Sequence, residues 1–345
     1  MKKFIAAMAI SALAFTGCGG SESDTAGNGD TSTEKRIKVA YVTNGIDPFW
    51  NIAEAGALAG AKEFNVDCEV LMPPNGLADQ QRMIETLLAN GIQGVAVSPI
   101  DAESQTSFLK KVAGMTNMIT QDSDAPGSDR LCFIGMNNYT AGRQAGELIK
   151  KALPDGGEIV IFVGRLEQLN AQQRRQGVID ELMDRPVATL ETMQVEQNDT
   201  PIVGEKFTVL TTLTDGFDRP KAKANAENAM VTYENLDAMV GLFAYNIPSC
   251  IEAVKSANRL NDIKLISFDE ADGTLQGITD GYVQGTISQQ PFEYGRLSVK
   301  VMAALVRGEE TGIPENKFIE VQSKVVEKEN VEEFWTELKK LKGQG

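Results

Sequence analysis

The side chains of this chain that could do chemistry fall just after apolar runs. They are Asp47 with Phe49 and Trp50 in NGIDPFWN, Asp122, Asn137 and Asn138, Arg174, Phe217 with Asp218, Asn246, Asp269 and Gln289. The set combines donors and acceptors with flat apolar faces. A carboxylate accepts hydroxyl protons through bonds about twice as strong as neutral ones. Arg174 presents a fixed fork of donors to adjacent oxygens. Asn246 and Gln289 each donate and accept. Phe49, Trp50 and Phe217 can cover the C–H faces of a ring. This is the chemistry of recognising a hydroxyl-rich molecule. No nucleophile stands beside a base, and the 345 residues include no His. That excludes His-based triads and His metal sites and removes the usual base near neutral pH. Binding rather than catalysis is expected, with no cofactor and no metal. The enzymatic alternative is a glycosidase with Asp47 and Asp122 as paired carboxylates.

A strand–helix alternation positions these residues. Strands are predicted at 37–43, 68–73, 94–99, 117–123 and 130–137, with helices at 48–64, 78–90, 102–113 and 140–153. Pro48 suits the first turn of its helix, and Gly91 closes the next. The rhythm then restarts. Strands are predicted at 158–164, 207–215, 238–246, 264–270 and 285–291, and helices at 168–183, 219–234, 248–258, 271–280 and 292–308. An extended stretch at 318–326 precedes a last helix at 331–342. Apolar strands alternating with helices form parallel sheets covered on both faces. Two such series make two doubly wound α/β lobes, and open parallel sheets bind ligands beyond the carboxyl ends of their strands.

The first residues carry a different message. MKK, an apolar run FIAAMAISALAF and AFTGC have the layout of a secretory signal. Thr16 and Gly17 before Cys18 resemble a bacterial lipoprotein site, with Phe15 where Leu is usual. Cleavage before Cys18 and a lipid on its thiol are expected. Residues 19–35 are rich in Gly, Ser, Thr and Asp and read as a flexible tether. The formal net charge is −15, and losing Lys2 and Lys3 makes it more negative. Such a surface repels phosphate backbones, so nucleic acid is not a partner. Cys68, Cys132 and Cys250 are widely spaced and read as small hydrophobes rather than a zinc site.

The motifs DPFW, MITQDS, QQRRQG, DGFDR, LFAYN, LISFDE and TISQQP, in this order and spacing, resemble the ribose/galactose-type periplasmic sugar-binding proteins of ABC importers. The resemblance spans about residues 37–309. It implies the type I periplasmic binding protein fold, two α/β lobes joined by a three-segment hinge. The signal would occupy 1–17 and the tether 18–36. The N-terminal lobe would comprise 37–138 plus about 290–318, and the C-terminal lobe 139–289 plus about 319–342. Carried over by position, the N-terminal lobe offers Thr43, Asp47, Phe49, Trp50 and Asp122. The C-terminal lobe offers Arg174, Phe217 and Asn246, with Asp269 and Gln289 at or near the crossings. Asn170 lies one helical turn from Arg174 and joins the candidates.

Asn137 and Asn138 are expected to order the crossover, and segment 185–206 is longer than the family's usual strand there. Asp47 replaces the family's Asn, and Asp122-Ser123 replaces Asp-Arg, so three carboxylates would face Arg174 alone. A neutral or cationic ligand follows: an aldose, a polyol or an amino-sugar-like compound. The resemblance implies a monomeric, lipid-anchored protein of the periplasm or cell envelope that delivers its ligand to an ABC permease. The alternative within the binding class is a sensor that presents the sugar to a membrane receptor. A repressor of the lactose type is discounted because a signal and an acidic tether stand where its DNA-binding helices would be.

Overall fold

The computed structural model describes residues 36–198 and 201–342. Cys18, the signal and the tether through residue 35 lie outside the described residues. No helix among the described residues is long and apolar enough to cross a membrane.

The first half alternates β1 (Lys38–Val42), α1 (Pro48–Glu63), β2 (Asp67–Leu71), α2 (Leu77–Ala89), β3 (Gly94–Val97), α3 (Thr106–Ala113), β4 (Asn117–Gln121) and β5 (Phe133–Gly135). The second half runs α4 (Asn138–Ala152), β6 (Gly157–Val163), α5 (Leu169–Leu182), β7 (Ile202–Val203), β8 (Phe207–Thr214), α6 (Arg219–Thr232), β9 (Leu236–Gly241), α7 (Asn246–Ser256), β10 (Lys264–Phe268), α8 (Asp272–Asp280) and β11 (Val283–Ser288). The chain closes with α9 (Pro291–Arg307), β12 (Phe318–Glu320), β13 (Lys324–Val326) and α10 (Val331–Leu341).

Two sheets form, ordered β12-β5-β4-β3-β1-β2 and β13-β11-β10-β9-β6-β8-β7. All pairings in the first are parallel; only β13 and β7 run antiparallel in the second. The central strands are apolar throughout: Val39 to Val42 and Ile159 to Val163 are fully buried, as a sheet covered on both faces requires.

The polypeptide passes between the sheets three times: at 136–137, at 289–290 and at 321–323. The crossings are tied together. Met136 N donates to Tyr294 Oη of α9 at 3.0 Å, and Gln290 Nε2 donates to the Gln322 carbonyl. Asn137 caps α4 by accepting from Thr140 N. Two details differ from the sequence expectation. Helix α4 begins at Asn138 and packs on the second sheet, whereas residues 319–320 hydrogen-bond to β5 in the first. The run 238–246 is not one strand either. β9 ends at Gly241, and Asn246 opens α7 because its Oδ1 accepts from Phe243 N and turns the chain.

The described residues of segment 185–206 are mostly irregular and lead into the edge hairpin β7–β8. Buried Arg175 holds it, donating to the carbonyls of Glu196 and Gln197 and to Thr212 Oγ1. Arg175 is thus a structural clamp.

Each half carries one unusually close helix pair. A Cβ on Gly295 of α9 would overlap the Ala53 carbonyl of α1, and one on Gly177 of α5 would overlap the Tyr139 carbonyl of α4. Backbone therefore rests on backbone, and no side chain can yield. Gly295→Ala is expected to destabilise the protein by about 1–3 kcal/mol through overpacking, which urea denaturation would read as a lower midpoint at unchanged m value.

Candidate functional site

The carboxyl ends of both sheets open onto one cavity of about 420 Å³, within the usual range for a small-molecule site. Eight lining residues decide its character: Asp47, Phe49, Trp50, Asp122, Phe217, Tyr245, Asp269 and Gln289. They come from six different strand ends, so the fold, not a local motif, assembles them.

Phe49 and Trp50 sit in the first turn of α1, where Asp47 is the N-cap and its Oδ1 accepts from Phe49 N at 3.0 Å. The two rings meet edge to face at 4.9 Å, and both also pack in the first sheet's core. Stapling the core and facing the cavity are therefore two sides of the same residues. Across the cavity Phe217 meets Phe243 edge to face at 5.6 Å and Tyr245 at 6.0 Å.

The polar wall lies nearer the crossings. Asp122 Oδ2 accepts from Ser98 Oγ at 2.9 Å and Asn44 Nδ2 at 3.4 Å. Asp269 Oδ1 accepts from Gln289 Nε2 at 2.6 Å. Asp122 Oδ1 and Asp269 Oδ2 receive no donor from the described residues, and Gln289 Oε1 is buried and unpartnered among them.

Arg174 does not line the cavity but stands behind it, fully buried. Its Nε donates to Asn138 Oδ1 at 2.9 Å and its Nη1 to the Leu242 carbonyl at 2.8 Å, while Nη2 has no partner among the described residues. The guanidinium lies 5.4 Å from the Phe243 ring centre and 5.1 Å from that of Phe268.

Burial pushes Asp122 up to about 6 against the opposing pull of Arg174 and Ser98. Burial likewise raises Asp269, with Arg174 and Gln289 opposing and the Asp122 charge adding to the rise. Glu270 next to it is raised by burial and by the charge of Asp269, but faces away from this cavity.

Four residues here have left-handed backbone: Asp122 (φ 60°), Phe217 (70°), Asp269 (67°) and Gln290 (62°). Asp tolerates this region; a bulky Phe does so only under constraint. That constraint is Asp215, whose Oδ1 accepts from Phe217 N and from Tyr245 Oη and whose Oδ2 accepts from Asn246 Nδ2 at 2.9 Å.

A periplasmic binding protein domain model matches residues 37–310. The chain belongs to the periplasmic binding protein family. The Haemophilus influenzae ribose import binding protein RbsB is 25% identical over 285 residues, covering 81% of this chain and 89% of that one. A solved ABC transporter solute binding protein from Burkholderia graminis, in complex with D-arabinose, superposes with a TM-score of 0.76 at 27% identity, covering 85% of this chain and 96% of that one. The glucose-galactose binding protein GanP of Geobacillus stearothermophilus shares the fold at 22% identity, with a TM-score of 0.76 over 86% and 99% of the two chains.

Within this periplasmic binding protein, Asp47, Phe49, Trp50, Asp122, Phe217, Asp269 and Gln289 line one cavity. Thr43, Asn170 and Asn246 do not. Thr43 Oγ1 donates to the Gly45 carbonyl, Asn170 Oδ1 accepts from Ala171 N, and Asn246 is spent on Asp215 and Phe243. Each is bonded to nearby polar groups, the usual fate of short polar side chains at element ends.

The reading that three carboxylates face Arg174 alone is corrected. Arg219 and Arg165 also line the cavity. Arg219 Nη2 bonds Asp47 Oδ2 at 2.7 Å across the two lobes and lies over the Tyr245 ring at 5.6 Å. Arg165 lies over Phe217 at 5.1 Å. Asp47 thus spends one oxygen on its helix cap and the other on Arg219. Arg165 directly follows β6 and satisfies the strand-end rule used for the other candidates. Asp215 directly follows β8 and satisfies it too, whereas Tyr245 carries no such signal beyond proximity to Asn246.

An Asp whose folded-state value lies above its unfolded one stabilises fully below about pH 4, and that contribution is lost as pH rises through about 6. Ligand-free Asp122→Asn protein should therefore gain on the parent by up to about 3 kcal/mol between pH 4 and pH 8. Denaturant titrations at both pH values measure this, and a pH-independent difference would contradict it.

Proposed function

We propose that the protein is an extracytoplasmic receptor that captures a monosaccharide or polyol, neutral or cationic, between its two lobes and delivers it to an ABC-type importer. A lipid on Cys18 would hold it at the membrane through the tether of residues 19–35. The observation that carries this reading is the cavity wall itself. Free carboxylate and amide groups stand opposite aromatic faces, and a guanidinium with one uncommitted nitrogen lies just behind them. Hydroxyls around a ring's equator match the first, and its C–H faces match the second. Selectivity arises because a wrong stereoisomer leaves buried polar groups unpaired. The relatives named above carry ribose import and arabinose binding in their descriptions, which agrees with a small polyhydroxylated ligand. Family membership, together with Asp47 committed to Arg219, favours capture over glycoside cleavage.

Ligand bonded to both lobes stabilises only the closed arrangement. A panel of aldoses, inositols and uronic acids in a thermal-shift assay is expected to give a clear rise for a neutral or amino compound. At a hundredfold excess over Kd the gain is about 2.7 kcal/mol. Tight binding of a uronic acid alone would refute the charge assignment. Arg174→Met should weaken the best ligand by about 1.5–3 kcal/mol in calorimetry, the range for a hydrogen bond to a charged group. Unchanged affinity would remove Arg174 from the site.

A further inference from the structure

The charges at the hinge end of the cavity are unequally divided: two buried carboxylates, Asp122 and Asp269, face one buried guanidinium, Arg174. On the acceptor side, Asp122 Oδ1, Asp269 Oδ2 and Gln289 Oε1 are uncommitted among the described residues. Tyr245 Oη adds another acceptor, because its proton is given to buried Asp215. On the donor side stand Arg174 Nη2, just behind the hinge end, the second proton of Gln289 Nε2, and the indole N–H of Trp50 in the lining, and of these only Arg174 carries charge. Arg219 is taken by Asp47. Arg165 stands on the aromatic side over Phe217 and borders an outer groove as well, so it is half in solvent.

A sugar hydroxyl supplies one proton and no charge, so it leaves the excess of buried anion at this end of the cavity without a counter-charge. An ammonium supplies three protons and accepts none. It also carries the charge that two buried carboxylates opposite one guanidinium call for: such anions are costly unless paired. Burial is the first cause of the raised proton affinity of Asp122 and Asp269, and at Asp269 the charge of Asp122 adds to it.

We infer that the ligand is an amino-substituted polyol, an amino sugar or aminocyclitol, whose ammonium lies at the hinge end against Asp122, Asp269 and Gln289 while a neighbouring hydroxyl accepts from Arg174. This rests on the receptor reading above and narrows its ligand class.

Matched pairs test it by calorimetry on the tether-free protein at pH 7.5. The pairs are D-glucose with D-glucosamine, D-galactose with D-galactosamine, and an inositol with the aminodeoxy-inositol of the same configuration, each amine also as its N-acetyl derivative. The amine is expected to bind at least tenfold more tightly than its neutral partner in the best pair, and N-acetylation, which removes the charge, is expected to abolish that advantage. In Asp269→Asn the ratio between amine and neutral partner should fall toward one. The wild-type N-acetyl comparison decides the matter even if that variant does not fold. Neutral members binding as tightly as, or more tightly than, their amines in every pair would overturn this inference and leave the sugar receptor standing. Absence of binding by every member of both series would overturn both.

Discussion

The site depends on one buried cation. Arg174 sits between the Phe243 and Phe268 rings, and its bonds reach Asn138 at the first crossing and the Leu242 carbonyl just beyond β9. Its charge pulls on both Asp122, from the first lobe, and Asp269, from the second. Without it the two carboxylates would face each other in a water-poor cleft. An isolated buried charge costs several kcal/mol, so a guanidinium there lets two acids occupy opposite walls of one cavity. The same arrangement fixes where the chain crosses, because Asn138 is already committed to α4 and to this bond.

The lobes touch through weak means. The Asp47–Arg219 pair spans them, but the two side chains are 22% and 51% exposed, and such pairs contribute at most about 1 kcal/mol. Ile52 of α1 packs into the second lobe's core cluster, and Ala244 into the first's. These contacts guide the lobes into register without locking them. The strong interactions are the unused ones at Asp122, Asp269, Gln289 and Arg174, and a bound molecule supplies their partners.

Much of this was legible in the sequence, and the reasons for the gaps are physical. Alternating apolar runs gave both sheets, since a strand buried on two faces has few alternatives. Taking the residue after each strand found seven side chains that share one cavity. The same rule put Asn246 in the site, where local bonding uses it up, and placed Arg174 at the wall rather than behind it. What it could not reveal was reach. Arg219 matters because it extends from α6 to the opposite lobe, and no spacing along the chain encodes that. Asp215 matters because it orients Phe217, Tyr245 and Asn246 together, yet as the residue after an apolar strand it looks like any turn Asp. The length of segment 185–206 was visible, but its anchoring by buried Arg175 was not, because two adjacent arginines on a helix ordinarily read as surface.

The three crossings carry a kinetic consequence. Chain segments running side by side and bonded to one another, as Gln290 is to Gln322 and Met136 to Tyr294, resist shear and torsion and leave a single easy rotation. A molecule that lands on either wall therefore meets the other along one path. Little orientational search remains after encounter, so different ligands will arrive at similar speeds and be told apart by how long they stay.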